Sequence, residues 1–96
     1  MKVKVKFLAI LYDLMGVMSD VVEAPEGATV RDLIALIDGK YGGRLSKEIL
    51  YADGRLRDEY NILVNGRAID YLQGLKTPLK DGDEVVFMPP VGGGLR

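Results

Sequence analysis

The chain has 96 residues, enough for one modest hydrophobic core and too few for two. Apolar residues make up 48% and charged residues 28%, which excludes a disordered composition, and 13 basic against 14 acidic residues leave a net charge of -1, no footprint for nucleic acid. Cysteine and histidine are both absent, so the chain has no disulfide, thiolate nucleophile, thiolate metal site or Ser-His-Asp arrangement.

The remaining candidates for chemistry are carboxylates. Asp53, Asp58 and Glu59 show neither the spacing of a calcium loop nor a paired arrangement, so neither a metal site nor a cofactor is expected. Catalysis by the chain itself is not expected either. No apolar run approaches the roughly 20 residues that span a bilayer, and no cleavage site follows the first lysines. The expected location is the cytoplasm, with no membrane partner.

Lys2 to Leu11 reads as a strand, with Val3, Val5, Phe7, Ala9 and Leu11 on one face and Lys2, Lys4, Lys6, Leu8 and Ile10 on the other. Asp13 to Gly16 reads as a turn and Met18 to Glu23 as a second strand. Pro25-Glu26-Gly27 then breaks the pattern. Thr29 is placed to cap a helix, with Asp32 three residues on completing a capping box. Val30, Leu33, Ile34, Ile37 and Tyr41 form its apolar stripe, and Gly42-Gly43 stop it.

Leu45 to Leu50 reads as a short second helix capped by Ser46, and Ala52 to Tyr60 as a loop. Asn61 to Val64 is a strand, followed by the type I′ turn signal Asn65-Gly66 and another short strand near Ala68 to Tyr71. Asp81-Gly82 turns the chain into a last strand, Asp83 to Met88, which Pro89-Pro90 end because proline cannot donate to a ladder. Two strands, a long helix and further strands make an α+β domain of β-grasp (ubiquitin-like) type. Its mixed sheet carries one main helix across one face. The expected domain is 1–90, with 91–96 as a glycine-rich tail. The expected core is Val3, Val5, Phe7, Val30, Leu33, Ile34, Ile37, Ile62, Val64, Val85 and Phe87.

A single helix covers one sheet face only. Val86 and Met88, with Leu8 and Ile10, then form an uncovered apolar patch suited to a partner, unless the segment between Gly42 and Tyr60 folds over them. Beyond the sheet, Pro89 and Pro90 stiffen the exit, and Val91-Gly92-Gly93-Gly94 supply backbone almost free of side chains. From Pro90 to Gly94 an extended chain reaches roughly 16 Å. That suits insertion into a narrow channel of another protein, where a Cβ would clash.

Three stretches, Ile62-Leu63-Val64-Asn65-Gly66, Leu79-Lys80-Asp81-Gly82-Asp83-Glu84-Val85 and Phe87-Met88-Pro89-Pro90-Val91-Gly92-Gly93-Gly94, resemble the small sulfur-carrier subunit of molybdopterin synthase. This is a ubiquitin-like member of the MoaD/ThiS family. Phe7, Leu14, Gly16 and Pro25-x-Gly27-x-Thr29-Val30 fit as well. The thiamine-pathway carrier is similar, but its tail usually lacks the two prolines. The resemblance implies a carrier with two partners, an E1-like adenylating enzyme and the large synthase subunit, in molybdenum or tungsten cofactor synthesis. It implies that Gly94 carries the thiocarboxylate, with Gly93 beside it. In the family the second glycine is terminal, whereas here Leu95 and Arg96 follow, so their removal is expected. Two rivals stand beside this reading: a ubiquitin-like modifier conjugated through the same glycine, and a non-catalytic β-grasp adaptor.

Overall fold

In the computed structural model, which describes residues 1–90, the strands form one five-stranded sheet. The elements are β1 (Lys2–Phe7), α1 (Ile10–Met15), β2 (Ser19–Glu23), α2 (Val30–Tyr41) and α3 (Arg44–Ile49), then β3 (Asn61–Val64), β4 (Arg67–Ala68) and β5 (Glu84–Met88). Two short 3-10 turns, Ile69–Tyr71 and Gly74–Lys76, lie between β4 and β5. The sheet order is β2-β1-β5-β3-β4. β5 runs parallel to β1 and antiparallel to β3, so the last strand is the middle of the sheet. This is the β-grasp arrangement.

Alternation along the strands divides the sheet into an inner and an outer face. In β1 the lysines face outward while Val3, Val5 and Phe7 are fully buried; in β5, Val85 and Phe87 are buried. Phe7 and Phe87 are paired in the parallel register and stack with ring centres 5.5 Å apart. α2 lies over them, burying Val30, Leu33, Ile34 and Ile37. All eleven expected core residues belong to the one core.

α2 begins as the sequence requires. The Thr29 hydroxyl accepts the Asp32 N–H (3.2 Å), and the Asp32 carboxylate accepts the Thr29 N–H (2.9 Å), so two orphan donors are satisfied reciprocally. Gly42 at φ 72 ends the helix in a left-handed conformation that a side chain would strain.

Three readings are corrected. The first strand stops at Phe7, and Leu8 to Leu11 do not continue it. Ala9, at φ 50 and exposed, turns the chain into α1. Leu11 is buried from the helix, four residues before buried Met15, and Ile10 is 55% exposed on the helix start. Position 11 fits both periods, two residues apart for a strand and four for a helix, which is why alternation misleads there. The expected turn at Asp13 to Gly16 is the end of α1.

Second, Ser46 does not cap α3. Gly43, at φ 78, precedes that helix, and Ser46 lies within it, its hydroxyl and N–H both donating to the Asp38 carboxylate of α2. Third, β4 is only Arg67–Ala68, because the chain tightens into a 3-10 turn that buries Ile69.

Tyrosines tie the helices to the rest. The Asp20 carboxylate accepts both the Lys40 ammonium and the Tyr41 hydroxyl at 2.6 Å. These two donors, Lys40 first, hold Asp20 below the ordinary carboxylate range, while the Asp20 bond and burial push Tyr41 up to about 12. Tyr60 donates to Glu48 and is likewise pushed to about 12, by burial first and that bond second. Both tyrosines favour the neutral form when folded. Their contribution to stability is complete below pH 10.0, the ordinary tyrosine value, and is lost as pH rises through about 12. Ultraviolet phenolate titration of the Tyr41→Phe and Tyr60→Phe variants will each remove one late-ionising group. Loss of an ordinary tyrosine transition instead would refute the assignment.

Candidate functional site

Among the described residues no group of three or more His, Cys, Asp or Glu side chains could hold a metal ion, and no helix is long and apolar enough to cross a membrane. Attention falls on the exit of β5 and on the outer sheet face.

β5 delivers the chain out of the sheet beside the end of β1 and the start of β3. Met88, its last residue, pairs with Asn61, and the Phe87 carbonyl accepts the N–H of Leu8 at 3.3 Å. The strand is therefore held on both sides through Phe87 and on the β3 side to its final residue. Pro89 is half-buried and Pro90 exposed. Neither carries an N–H, so the ladder stops there and the chain is released from the sheet at a defined point. Val91, Gly92, Gly93 and Gly94, the remaining expected site residues, lie outside the described residues.

The outer face carries a mixed surface. Lys6, Val86, Leu63 and Ala68 form one row across β1, β5, β3 and β4. Lys6 pairs with Glu84 at 3.2 Å across β1 and β5, both side chains about two-fifths exposed, which keeps the apolar row flanked by charge. Val86 and Met88 occupy this face half-buried, as expected for a strand whose other face feeds the core. Leu8 is half-buried just past β1 and reaches the same end of the sheet through its bond to Phe87. Ile10 does not join them as a strand residue, since it opens α1. The segment after Gly42 does not fold over Val86 and Met88: α3 sends Leu45 and Ile49 into the core on the inner face.

Sequence reasoning passed over Leu63 and Ala68. Leu63 is flanked in β3 by buried Ile62 and Val64, and its outward position was available from alternation alone. Ala68 was expected to open a short strand, but its place in this row follows from the two-residue β4 that the Asn65-Gly66 turn sets against β3. That turn is formed with φ 51 at Asn65 and φ 85 at Gly66, the left-handed pair a two-residue hairpin needs.

Comparison with known proteins agrees with this architecture. The model of the ThiS family matches residues 5–94. Small archaeal modifier protein 3 of Haloferax volcanii is 34% identical over 94 residues, covering 98% of this chain and all of that one. A putative sulfur carrier protein of Archaeoglobus fulgidus is 46% identical over 69 residues, covering 72% of this chain and 77% of its own. Among solved structures, a putative molybdopterin converting factor subunit 1 from Pyrococcus furiosus superposes with a TM-score of 0.73 at 43% identity. The match covers 94% of this chain and 98% of the other. Small carriers and modifiers are what the sequence and the fold both resemble, and the chain belongs to the ThiS family of small ubiquitin-like sulfur carriers.

Proposed function

We propose that the chain carries sulfur for the synthesis of a molybdopterin-type cofactor, as a thiocarboxylate on Gly94. The observation that carries this reading is a family match running through residue 94, in a chain whose central strand leads into two prolines and then the glycines. An oxygen of the Gly94 carboxylate attacks the α-phosphorus of ATP on an E1-like enzyme and releases pyrophosphate. A sulfur nucleophile then displaces AMP, leaving the thiocarboxylate. The large synthase subunit accepts the tail and receives that sulfur. The chain acts as a substrate and partner throughout and supplies no acid, base or metal. Its glycines allow the carboxylate to lie in line with phosphorus, a positioning requirement. The molybdopterin branch is supported by the paired prolines and by the likeness to the Pyrococcus furiosus converting-factor subunit.

A second reading has its own support in the Haloferax volcanii relative, named a modifier. The same acyl-adenylate, attacked by a lysine amine with loss of AMP, gives an isopeptide bond. Affinity recovery of the chain from its source cells separates the two. A large synthase subunit in the eluate supports sulfur transfer. Lysine-linked conjugates on a denaturing gel, without that subunit, support modification.

The outer sheet face is the proposed docking surface for both enzymes, one at a time, through Leu8, Val86 and Met88, with the segment from Pro89 to Gly92 entering the partner. Met88→Asp leaves the inner core untouched but places an unpaired carboxylate in the contact. Each association should weaken by about tenfold or more while the melting temperature changes little. Unchanged affinities by calorimetry for both partners would remove this face from consideration.

A further inference from the structure

A cleft of about 480 Å³ opens at the start of β5, the end opposite Pro89 and Pro90, between the β3–β4 hairpin and the chain from Leu72 to Lys80. Its lining combines apolar side chains, Val64, Leu72 and Pro78, with the exposed cations Arg67 and Lys80.

Both walls are fixed by bonds that do not involve these cations. On the hairpin side, Asn65 donates from its amide to Asp83 (2.9 Å) and accepts the Glu84 N–H (2.9 Å), and Asp83 also accepts the Lys80 N–H (2.8 Å). On the other side, Thr77 and Leu79 are stitched to the start of α2 by the Val30 N–H on the Thr77 carbonyl and the Leu79 N–H on the Ala28 carbonyl. The Thr77 hydroxyl is itself engaged, donating to Gly74 and accepting from Gln73. The cleft is therefore preformed, and its uncharged polar groups and Asp83 are largely occupied.

What remains unengaged is positive. Among the described residues, neither the Arg67 guanidinium nor the Lys80 ammonium forms an ion pair or a side-chain hydrogen bond. Asp83 is the one carboxylate of the lining, and its two oxygens face neutral N–H donors. An apolar lining beside two unanswered cations complements a short peptide that carries both aliphatic and acidic residues. An extended segment presents both kinds of side chain within a few residues.

The geometry points to this cleft as a docking site for an acidic, extended segment of a partner protein, independent of the tail. A partner held here leaves the exit of β5 free, so the site serves recruitment while the glycine end is in use.

The test is a two-dimensional amide NMR titration of the full chain with a capped hexapeptide alternating leucine and aspartate. The leucine–lysine counterpart and inorganic phosphate serve as controls. Shifts should concentrate on Val64 to Arg67 and Leu72 to Lys80, weaken as salt rises past the Debye regime, and be absent with the lysine peptide. Arg67→Glu and Lys80→Glu should each reduce affinity about tenfold, and Arg67→Lys should restore most of it. Three results would overturn the site. They are shifts on the outer sheet face instead, equal response to phosphate and peptide, or no peptide shift at millimolar concentration.

Discussion

On the proposed sulfur-carrier reading, a form of the chain ending at Gly94 will be adenylated by an E1-like enzyme, and a form continuing through Leu95 and Arg96 will not. Adenylation joins ATP to a free carboxylate. Wherever the chain continues past residue 94, Gly94 presents an amide carbonyl, which has no anionic oxygen to attack phosphorus. A carboxylate on Arg96 follows two large side chains, and a channel shaped for glycine rejects them sterically. The expected effect is all or none in a pyrophosphate-exchange assay. Intact-mass measurement of the protein from its source cells supplies the second half of the test. A product ending at Gly94, with a fraction about 16 Da heavier where sulfur replaces oxygen, is the expected result. Full-length chain alone, together with no exchange by the Gly94-ending form, would leave the sulfur-carrier reading without support.

The largest expected effect on stability lies at Leu33. This side chain is fully buried in the middle of α2, in the same cluster as Phe7, Ile62 and Phe87. Leu33→Ala removes its transfer free energy and leaves a void, costing about 2–5 kcal/mol. Against a total stability of roughly 5–15 kcal/mol for a small domain, that is a large fraction. The melting temperature should fall by roughly 10 °C or more. Leu36, on the same helix but 38% exposed, provides the control, and Leu36→Ala should stay within about 0.5 kcal/mol. A loss at Leu33 no greater than that at Leu36 would mean the helix does not present this stripe to the sheet.

Legibility in the sequence followed how local the governing interaction is. The start of α2 was readable because Thr29 and Asp32 satisfy each other within one turn. The β3–β4 turn was readable because Asn65-Gly66 tolerates the required left-handed backbone. α1 was not: six residues give too little periodicity to separate a helix from a strand, and the break depends on Ala9 adopting a conformation nothing in its side chain favours. Ser46 looked like a cap because serine usually bonds its own helix start, yet Asp38 from the preceding helix takes both its donors. For the site, Val86 and Met88 followed from alternation along β5. Ile10 stands exposed at the start of α1 and not on the strand it was assigned to, and the cleft near Arg67 and Lys80 had no local signature because its walls come from segments distant in sequence.

The order of the sheet bears on when a newly made chain becomes competent. β1, the first of these strands to leave the ribosome, has β5 as its inner neighbour, with Lys4 opposite Glu84 and Phe7 opposite Phe87. Until residues beyond 84 emerge, the sheet lacks its middle strand, Phe7 lacks its stacking partner, and the core stays open. The glycines proposed to carry the chemistry are encoded within a few codons of that strand. A prematurely ended product thus has neither a closed core nor the proposed reactive end, and quality control that removes unfolded chains also removes those without a tail.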